Sequence, residues 1–227
     1  MLKSLLAAAI LAAAPLAAAA QPAPGVTAEQ ISRARAEADA LIAAADAEAL
    51  FDNTTDSDVP TVRHKPSGLV CAFEPGEADN GITIFEQGVG IPRGEDVGCN
   101  STFGGAHHTL YATRYRPAMS AERALSDAVA AIRRRFPDAR RYEGSGTSIE
   151  VDREGRQPLP PTHSAAFTIE LEGVGPAYTS ARVAEHDSWI IKQRLTVEMS
   201  KVTAGQLMGG MHWTRALESI VDRDRSI

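Results

Sequence analysis

Apolar and polar residues alternate most regularly near the C-terminal end of the chain, over residues 189–199. Alternation with a period of two is typical of a strand that buries one face. The apolar side chains share one face: Trp189, Ile191, Leu195, Val197 and Met199. The opposite face is polar: Lys192, Arg194, Thr196 and Glu198. The same pattern over residues 165–171, and more weakly over residues 177–184, predicts two further strands.

Helical spacing begins early in the chain. Thr27 and Gln30 form a T-x-x-Q capping box. Apolar residues then recur at steps of three and four over residues 31–49, and most of them are alanine. We therefore predict an Ala-rich N-terminal helix with a thin apolar face.

Two more helices are predicted further along. Ser120 begins an apolar helical pattern that Pro137 ends. A second T-x-x-Q motif at Thr203 precedes a C-terminal helix, and Gly209 and Gly210 weaken that prediction because glycine is a poor helix former.

The region between the first two helices consists of short apolar runs separated by glycine and proline. We interpret the polar residues 52–60 as a loop, and residues 74–81 as a hairpin-like connection. Residues 88–105 contain six glycines. The apolar runs predict strands over residues 61–64, 68–73, 82–86 and 107–116.

This order of elements predicts an α+β fold. Strands that follow each other through short connections pair antiparallel, and helices before, between and after the strand groups can cover the sheet. We expect an antiparallel β-sheet covered by helices, an α/β/α sandwich with an Ala-rich N-terminal helix. Residues 21–60 form the N-terminal helix and linker, and residues 61–227 form a single α+β domain.

Three segments resemble a known family. They are the predicted strand HTLYATRYRP at residues 108–117, the helix SAERALSDAVAAI at residues 120–132, and the strand WIIKQRLT at residues 189–196 with the helix after it. In these segments and in the order of elements over most of residues 61–222, the chain resembles the PsbP-like and DcrB-like proteins, which are exported or lumenal α/β/α sandwiches. The resemblance implies that fold and a non-catalytic accessory or binding role, and it transfers no functional residue.

Composition narrows the class of protein. The chain has 227 residues, is 44% hydrophobic and contains two cysteines, which excludes a collagen, a disordered acidic chain, a disulfide-stapled miniprotein and a multi-span membrane protein. Its formal net charge is −6. Nucleic acid is not the expected partner, because phosphate binding requires a cationic surface.

Residues 1–20 are typical of a secretory signal peptide. Lys3 precedes an apolar run that ends in alanines, and cleavage is expected after Ala20. The alternative is an uncleaved membrane anchor, but the apolar run is shorter than a membrane span and contains Pro15. We predict a periplasmic or secreted protein without a transmembrane anchor after cleavage, with a net charge of −7.

Export changes the interpretation of the cysteines. Cys71 and Cys99 can pair only with each other within one chain, and oxidising compartments favour a disulfide. The alternative is two buried or free thiols.

Residues suited to catalysis or metal binding do not form a recognisable motif. His107 and His108 are adjacent on a predicted strand, so their side chains point to opposite faces and cannot share an ion. We therefore predict no catalytic residue, no metal site and no cofactor.

Two groups of cations are candidates for recognition. Arg133, Arg134 and Arg135 end the second predicted helix, where they could bind an anionic surface or partner or simply complement the helix dipole. Lys192 and Arg194 lie on the polar face of the last predicted strand. They could form a recognition surface, or their long side chains could extend to solvent over a covering helix.

We expect a non-enzymatic binding or accessory domain of the cell envelope, with an unidentified protein or envelope component as partner. The alternative is a secreted hydrolase with a site near the glycine-rich residues 88–108. An enzyme would place His107 or His108 beside an acidic residue in a common cleft with perturbed pKa values. A binding module would instead show an exposed patch.

Overall fold

A computed structural model describes residues 25–85, 92–145 and 154–223. The predicted leader, residues 1–20, lies outside the described residues, and so does part of the glycine-rich segment, residues 88–91. The three α-helices of the described ranges are α1 (Ala28–Ala44), α2 (Ala121–Arg135) and α3 (Val202–Arg223). The first six strands are β1 (Phe51–Asn53), β2 (Thr61–His64), β3 (Val70–Ala72), β4 (Gly81–Ile84), β5 (Asp96–Phe103) and β6 (Ala106–Thr113). The last four are β7 (Arg140–Arg141), β8 (His163–Leu171), β9 (Gly175–His186) and β10 (Trp189–Glu198).

The strands form two antiparallel sheets, which confirms the predicted α+β class. The small sheet has the order β1-β2-β3, and the large sheet has the order β4-β5-β6-β10-β9-β8-β7. Strands β9 and β10 form a hairpin whose two turn residues, Asp187 and Ser188, both have positive φ angles, of 46° and 66°. Positive φ at both positions matches the right-handed twist of the paired strands.

One face of the large sheet, here called the α3 face, is covered by α3, α1 and the small sheet. Their apolar side chains form one continuous core with the inward residues of the large sheet. Representative members from each layer are Ile42, Leu69, Phe73, Ile191, Trp213 and Ile220.

The opposite face, here called the α2 face, is packed by α2 against β8 and β9. Ile132 meets Phe167 and Ile169 at the β8 side, and Ala124 meets Val183 and Ile190 nearer β10. Strands β4, β5 and β6 lie on the other side of β10, away from the contact of α2 with β8 and β9. The polar residues of β10 on this face are therefore at the edge of the helix layer.

A disulfide joins the two sheets. Cys71 on β3 and Cys99 on β5 are bonded, with Cα atoms 6.2 Å apart and a separation of 28 positions in sequence. This confirms the predicted pair. On the chain-entropy model, closing a loop of this length stabilises the folded state by about 3 to 4 kcal/mol.

Helix starts follow the sequence signals at two of the three helices. The capping box of Thr27 and Gln30 is formed, and the Ser120 side chain caps α2 by accepting from the amide of Arg123. The predicted start of the third helix was wrong. Helix α3 begins at Val202, after a short 3-10 turn, so Thr203 lies inside the helix rather than before it.

Two other expectations about local structure were also wrong. Residues 74–81 do not connect a hairpin, because β3 and β4 belong to different sheets. Strand β1 lies partly in the segment interpreted as a loop, and strand β5 lies within the glycine-rich segment, for which no strand was predicted. Polar and small residues concealed both strands from the hydrophobic pattern.

The glycines of α3 allow close packing against the sheet. A Cβ atom on Gly205 would lie 2.9 Å from Cγ1 of Val197, and one on Gly209 would lie 3.0 Å from Cδ2 of Leu195. A Cβ atom at either position would require a shift of the helix or of the neighbouring side chain. Gly209, which weakens the helix prediction from sequence, thus lies where the packing leaves little room for a side chain.

Candidate functional site

The two candidate cations of β10, Lys192 and Arg194, lie together at the edge of α2. They are two residues apart along β10, so both side chains lie on the α2 face. Both line a cleft of about 240 Å³ between β10 and the helix. The helix side of this cleft is made by small residues, including Ala128 and Ala131. The sheet side continues to Tyr111 on β6, which is directly opposite Lys192 in the strand register.

Two tyrosines hold the Lys192 ammonium group. Its Nζ atom donates a hydrogen bond to Oη of Tyr115 at 3.0 Å. The same atom lies 5.3 Å from the ring centroid of Tyr111 and 5.4 Å from that of Tyr115. Cations at such distances from aromatic rings are attracted by the ring quadrupole. The side chain is therefore fixed in the cleft and half-buried.

Arg194 is the less satisfied of the two cations. Its side chain is half-buried, and its Nε atom is buried without a hydrogen-bond partner. Burial lowers the pKa of the guanidinium from its ordinary value, the Tyr111 phenol acts in the opposite direction, and the nearby Arg135 lowers it further. A buried N–H without an acceptor costs free energy that a bound acceptor would recover.

Carboxylates do not neutralise this pair within the described parts of the chain. No ion pair of Lys192 or Arg194 is found there. Asp127 lines the cleft, but its carboxylate pairs with Arg123 at 3.3 Å, four residues away on the same helix. The cleft therefore presents two positive charges and an unused donor.

The arginines at the end of α2 are only partly connected to this cleft. Arg133, Arg134 and Arg135 are all exposed in the last turn. The guanidinium of Arg133 lies 5.6 Å from the Phe167 ring centroid, and that of Arg135 lies 5.5 Å from the Phe136 ring centroid. Arg135 is close enough to lower the pKa of Arg194, whereas Arg133 and Arg134 line a separate shallow depression on the helix.

The tyrosines of the cleft were not identified from sequence. Tyr111 alternates with His107 and Thr109 on a predicted strand, so its face could be assigned from the pattern. Its position opposite Lys192 depends on the pairing of β6 with β10, which are separated by more than seventy residues. Tyr115 follows the end of β6, where no periodicity indicates the direction of a side chain.

Neither His107 nor His108 lies beside a carboxylate among the described residues. His107 is exposed and its Nδ1 atom lies 2.9 Å from Oγ1 of Thr102. His108 points to the α3 face, where it packs against Phe103 and against His212, 5.2 Å away between ring centroids. Burial lowers its pKa to about 3. No carboxylate pairs with either ring in this part of the chain.

The described residues contain neither a metal-binding cluster nor a membrane-spanning helix. Among residues 25–85, 92–145 and 154–223, no group of three or more His, Cys, Asp or Glu side chains is arranged to hold a metal ion. In those ranges, no helix combines the length and apolarity needed to cross a membrane.

Comparison with known proteins gives little further information. No protein-family model matches the chain, and no curated protein matches it. The crystal structure of CalU16 from Micromonospora echinospora is similar over 58% of this chain and 83% of its own, with 14% identity and a TM-score of 0.25. A likeness of this size indicates neither a shared fold nor a shared function.

Proposed function

We propose that the chain is an exported, non-catalytic binding domain of the cell envelope that recognises an acidic partner through the cationic cleft formed by Tyr111, Tyr115, Lys192 and Arg194. The observation that carries the proposal is the buried Arg194 Nε–H without an acceptor, next to a lysine that no carboxylate of the described residues pairs with. An acidic partner supplies both the missing acceptor and the missing charge.

Removal from water makes these charges costly unless a partner compensates them. Partial burial weakens the hydration of both cations, and charged groups inside proteins are normally paired. Extension of the side chains to solvent over α2 was the alternative interpretation. The geometry favours recognition instead, because the Lys192 ammonium ends on two tyrosines within the cleft.

Two observations support an exported protein. Residues 1–20 have the sequence of a signal peptide, a disulfide joins Cys71 and Cys99, and such bonds persist in oxidising compartments. The resemblance to PsbP-like and DcrB-like proteins agrees with a periplasmic accessory role. We therefore place the acidic partner among the proteins and other components of the envelope.

The binding function is tested by capture from envelope extracts. The mature chain, immobilised on resin, is expected to retain an acidic envelope component that elutes as salt is raised, because screening weakens exposed charge pairs. The double variant Lys192→Gln and Arg194→Gln is expected to retain at least tenfold less.

The control removes the same number of positive charges elsewhere. Lys65 and Arg93 are half-exposed and pair with Asp52 and Asp46 at 3.2 and 3.3 Å, away from the cleft. The double variant Lys65→Gln and Arg93→Gln should capture as the wild type does. Equal loss in both double variants, or no salt-sensitive capture by the wild type, would contradict the proposal.

The hydrolase hypothesis gains no support from the described geometry. It required a histidine of residues 88–108 beside an acidic residue in a common cleft. His107 contacts Thr102, and His108 is buried on the opposite face against Phe103 and His212.

A further inference from the structure

A second and larger cavity lies on the α3 face, separated from the cationic cleft by the thickness of the sheet. It has a volume of about 500 Å³, within the range of small-molecule sites. Strands β8 and β9 form its floor, and Gln206, Gly210 and Trp213 of α3 form one wall. It is independent of the proposed function, because Arg182 and Arg194 project from opposite faces of neighbouring strands.

Arg182 is the charged group on the floor of this cavity. Its side chain is half-buried, and its Nη1 atom donates to Oε1 of Gln193 at 3.4 Å. Gln193 is itself fixed, because its Nε2 atom donates to the carbonyl oxygen of Gly209 at 2.8 Å. Burial lowers the pKa of the Arg182 guanidinium from its ordinary value, and the Tyr178 phenol opposes that shift.

The positive charge of Arg182 is not neutralised by the described residues. No carboxylate in those ranges forms an ion pair with it. A guanidinium has five N–H donors in a planar fork, and Gln193 accepts from one of its nitrogens. The remaining donors are available to a ligand.

The rest of the lining combines hydroxyl groups with aromatic rings. Ser164 and Ser180 lie on the same face of the strands as Arg182 and line the cavity with it. The ring of Tyr178 is held edge-on by Tyr142, with centroids 4.9 Å apart. Trp213 is oriented by a 3.0 Å hydrogen bond from Nε1 to Oγ1 of Thr162. The cavity thus has a cationic floor and rigid aromatic walls.

We propose that this cavity binds a small carboxylic acid, with its carboxylate on Arg182 and its apolar part against Trp213 and Tyr178. A guanidinium binds a carboxylate in bidentate geometry, and it can bind a phosphate in the same way. We commit to the carboxylate because Arg182 is the one half-buried cation of the described lining, whereas Arg141, the other arginine there, is exposed.

The experiment uses matched pairs of probes and the fluorescence of Trp213. The sequence contains two tryptophans, and both belong to the main core, but only Trp213 also lines the cavity, so a Trp189→Phe variant leaves Trp213 as the single tryptophan reporter. Phenylacetate and octanoate are titrated against their neutral amides and against inorganic phosphate. We expect saturable fluorescence changes with the carboxylates, and at least tenfold weaker binding of the amides and of phosphate.

Two variants test the assignment to Arg182 and to the cavity itself. Arg182→Gln should weaken carboxylate binding at least tenfold, and Ser164→Phe, which keeps the charge and fills space, should weaken carboxylates and amides alike. The increase of the melting temperature with octanoate gives a second measurement on the wild type. Lys65→Gln, at a half-exposed lysine that pairs with Asp52 away from the cavity, serves as the control and should bind as the wild type does.

Three results would overturn this assignment. The first is equal binding of a carboxylate and its amide, the second is tighter binding of phosphate, and the third is no binding of any probe. None of them bears on the capture of an acidic partner by the cationic cleft, so failure of the two proposals can be distinguished.

Discussion

Four cationic or titratable side chains are at least partly withdrawn from water in this protein. Lys192 and Arg194 are half-buried in the cleft, and the rings of His108 and His212 contact each other on the α3 face. Both ring nitrogens of His108 are buried without a hydrogen-bond partner. Protonation would place a charge on a buried ring without a hydrogen-bond partner, so the neutral form is favoured.

The histidine pair predicts a loss of stability in acid. Burial lowers the pKa of His108 to about 3, with smaller contributions in the same direction from His212, Arg182 and His107. Burial, together with Arg215, lowers the pKa of His212 to about 4. In the unfolded chain both would titrate near 6.5, so that state takes up protons first as the pH falls.

The sign of the effect follows from that difference. The contribution of the two neutral rings to the free energy of unfolding is complete above about pH 7. It is lost as the pH falls towards 4, because the unfolded chain takes up protons that the folded chain does not. The loss is up to about 1.4 kcal/mol per pH unit for each histidine. Urea denaturation at pH 7, 6 and 5 measures it. His108→Gln should reduce the slope of unfolding free energy against pH, and His107→Gln, an exposed neighbour, should not. Equal slopes in the two variants would refute the assignment.

At the scale of elements, α3 determines how closely the α3 face is packed. Gly205 and Gly209 bring the helix backbone against Val197 and Leu195 of β10. Gln193 adds a hydrogen bond from the sheet to the helix backbone at Gly209. The two glycines and the buried amide thus add a close backbone approach and a hydrogen bond to the apolar packing of α3.

Gly205→Ala should destabilise the fold although alanine favours helix. The helix gains about 1 kcal/mol from the better propensity, but the new methyl group would lie 2.9 Å from Cγ1 of Val197. Overpacking of this kind costs about 1 to 3 kcal/mol, so we expect a net loss. In a Val197→Ala background, where the methyl group has room, the same change should be neutral or stabilising. Chemical denaturation of the four proteins measures the coupling, and an identical loss in both backgrounds would contradict this packing.

Elements with strong periodicity could be predicted from the sequence, and elements without it could not. The alternation of β10 and the helical pattern after Ser120 both correspond to observed elements. Strand β5 was missed because Gly98, Ser101 and Thr102 interrupt its apolar positions. The assignment of β3 and β4 to different sheets depends on tertiary packing, which a short connection does not reveal.

At the scale of the whole molecule, the two sheets and three helices of the described residues place the candidate sites on opposite faces of the large sheet. The disulfide between Cys71 and Cys99 joins the sheets on the α3 face. The cationic cleft lies on the α2 face, where the helix covers β8 and β9 and leaves the polar edge of β10 accessible. The cations of this cleft could be named from the sequence. Their tyrosine partners could not, because these come from a strand distant in sequence.

The central claim is that an acidic partner occupies the cleft at Arg194. The most direct measurement is the Nε–H resonance of Arg194 in the mature protein, followed by nuclear magnetic resonance while tetraglutamate is added as a probe. We predict a saturable shift that weakens with salt and is absent with tetraglutamine. Arg33, which is exposed and paired with Glu29 at 3.1 Å, provides the internal control and should shift little. An unchanged Arg194 resonance, or an equal shift of Arg33, would contradict the account.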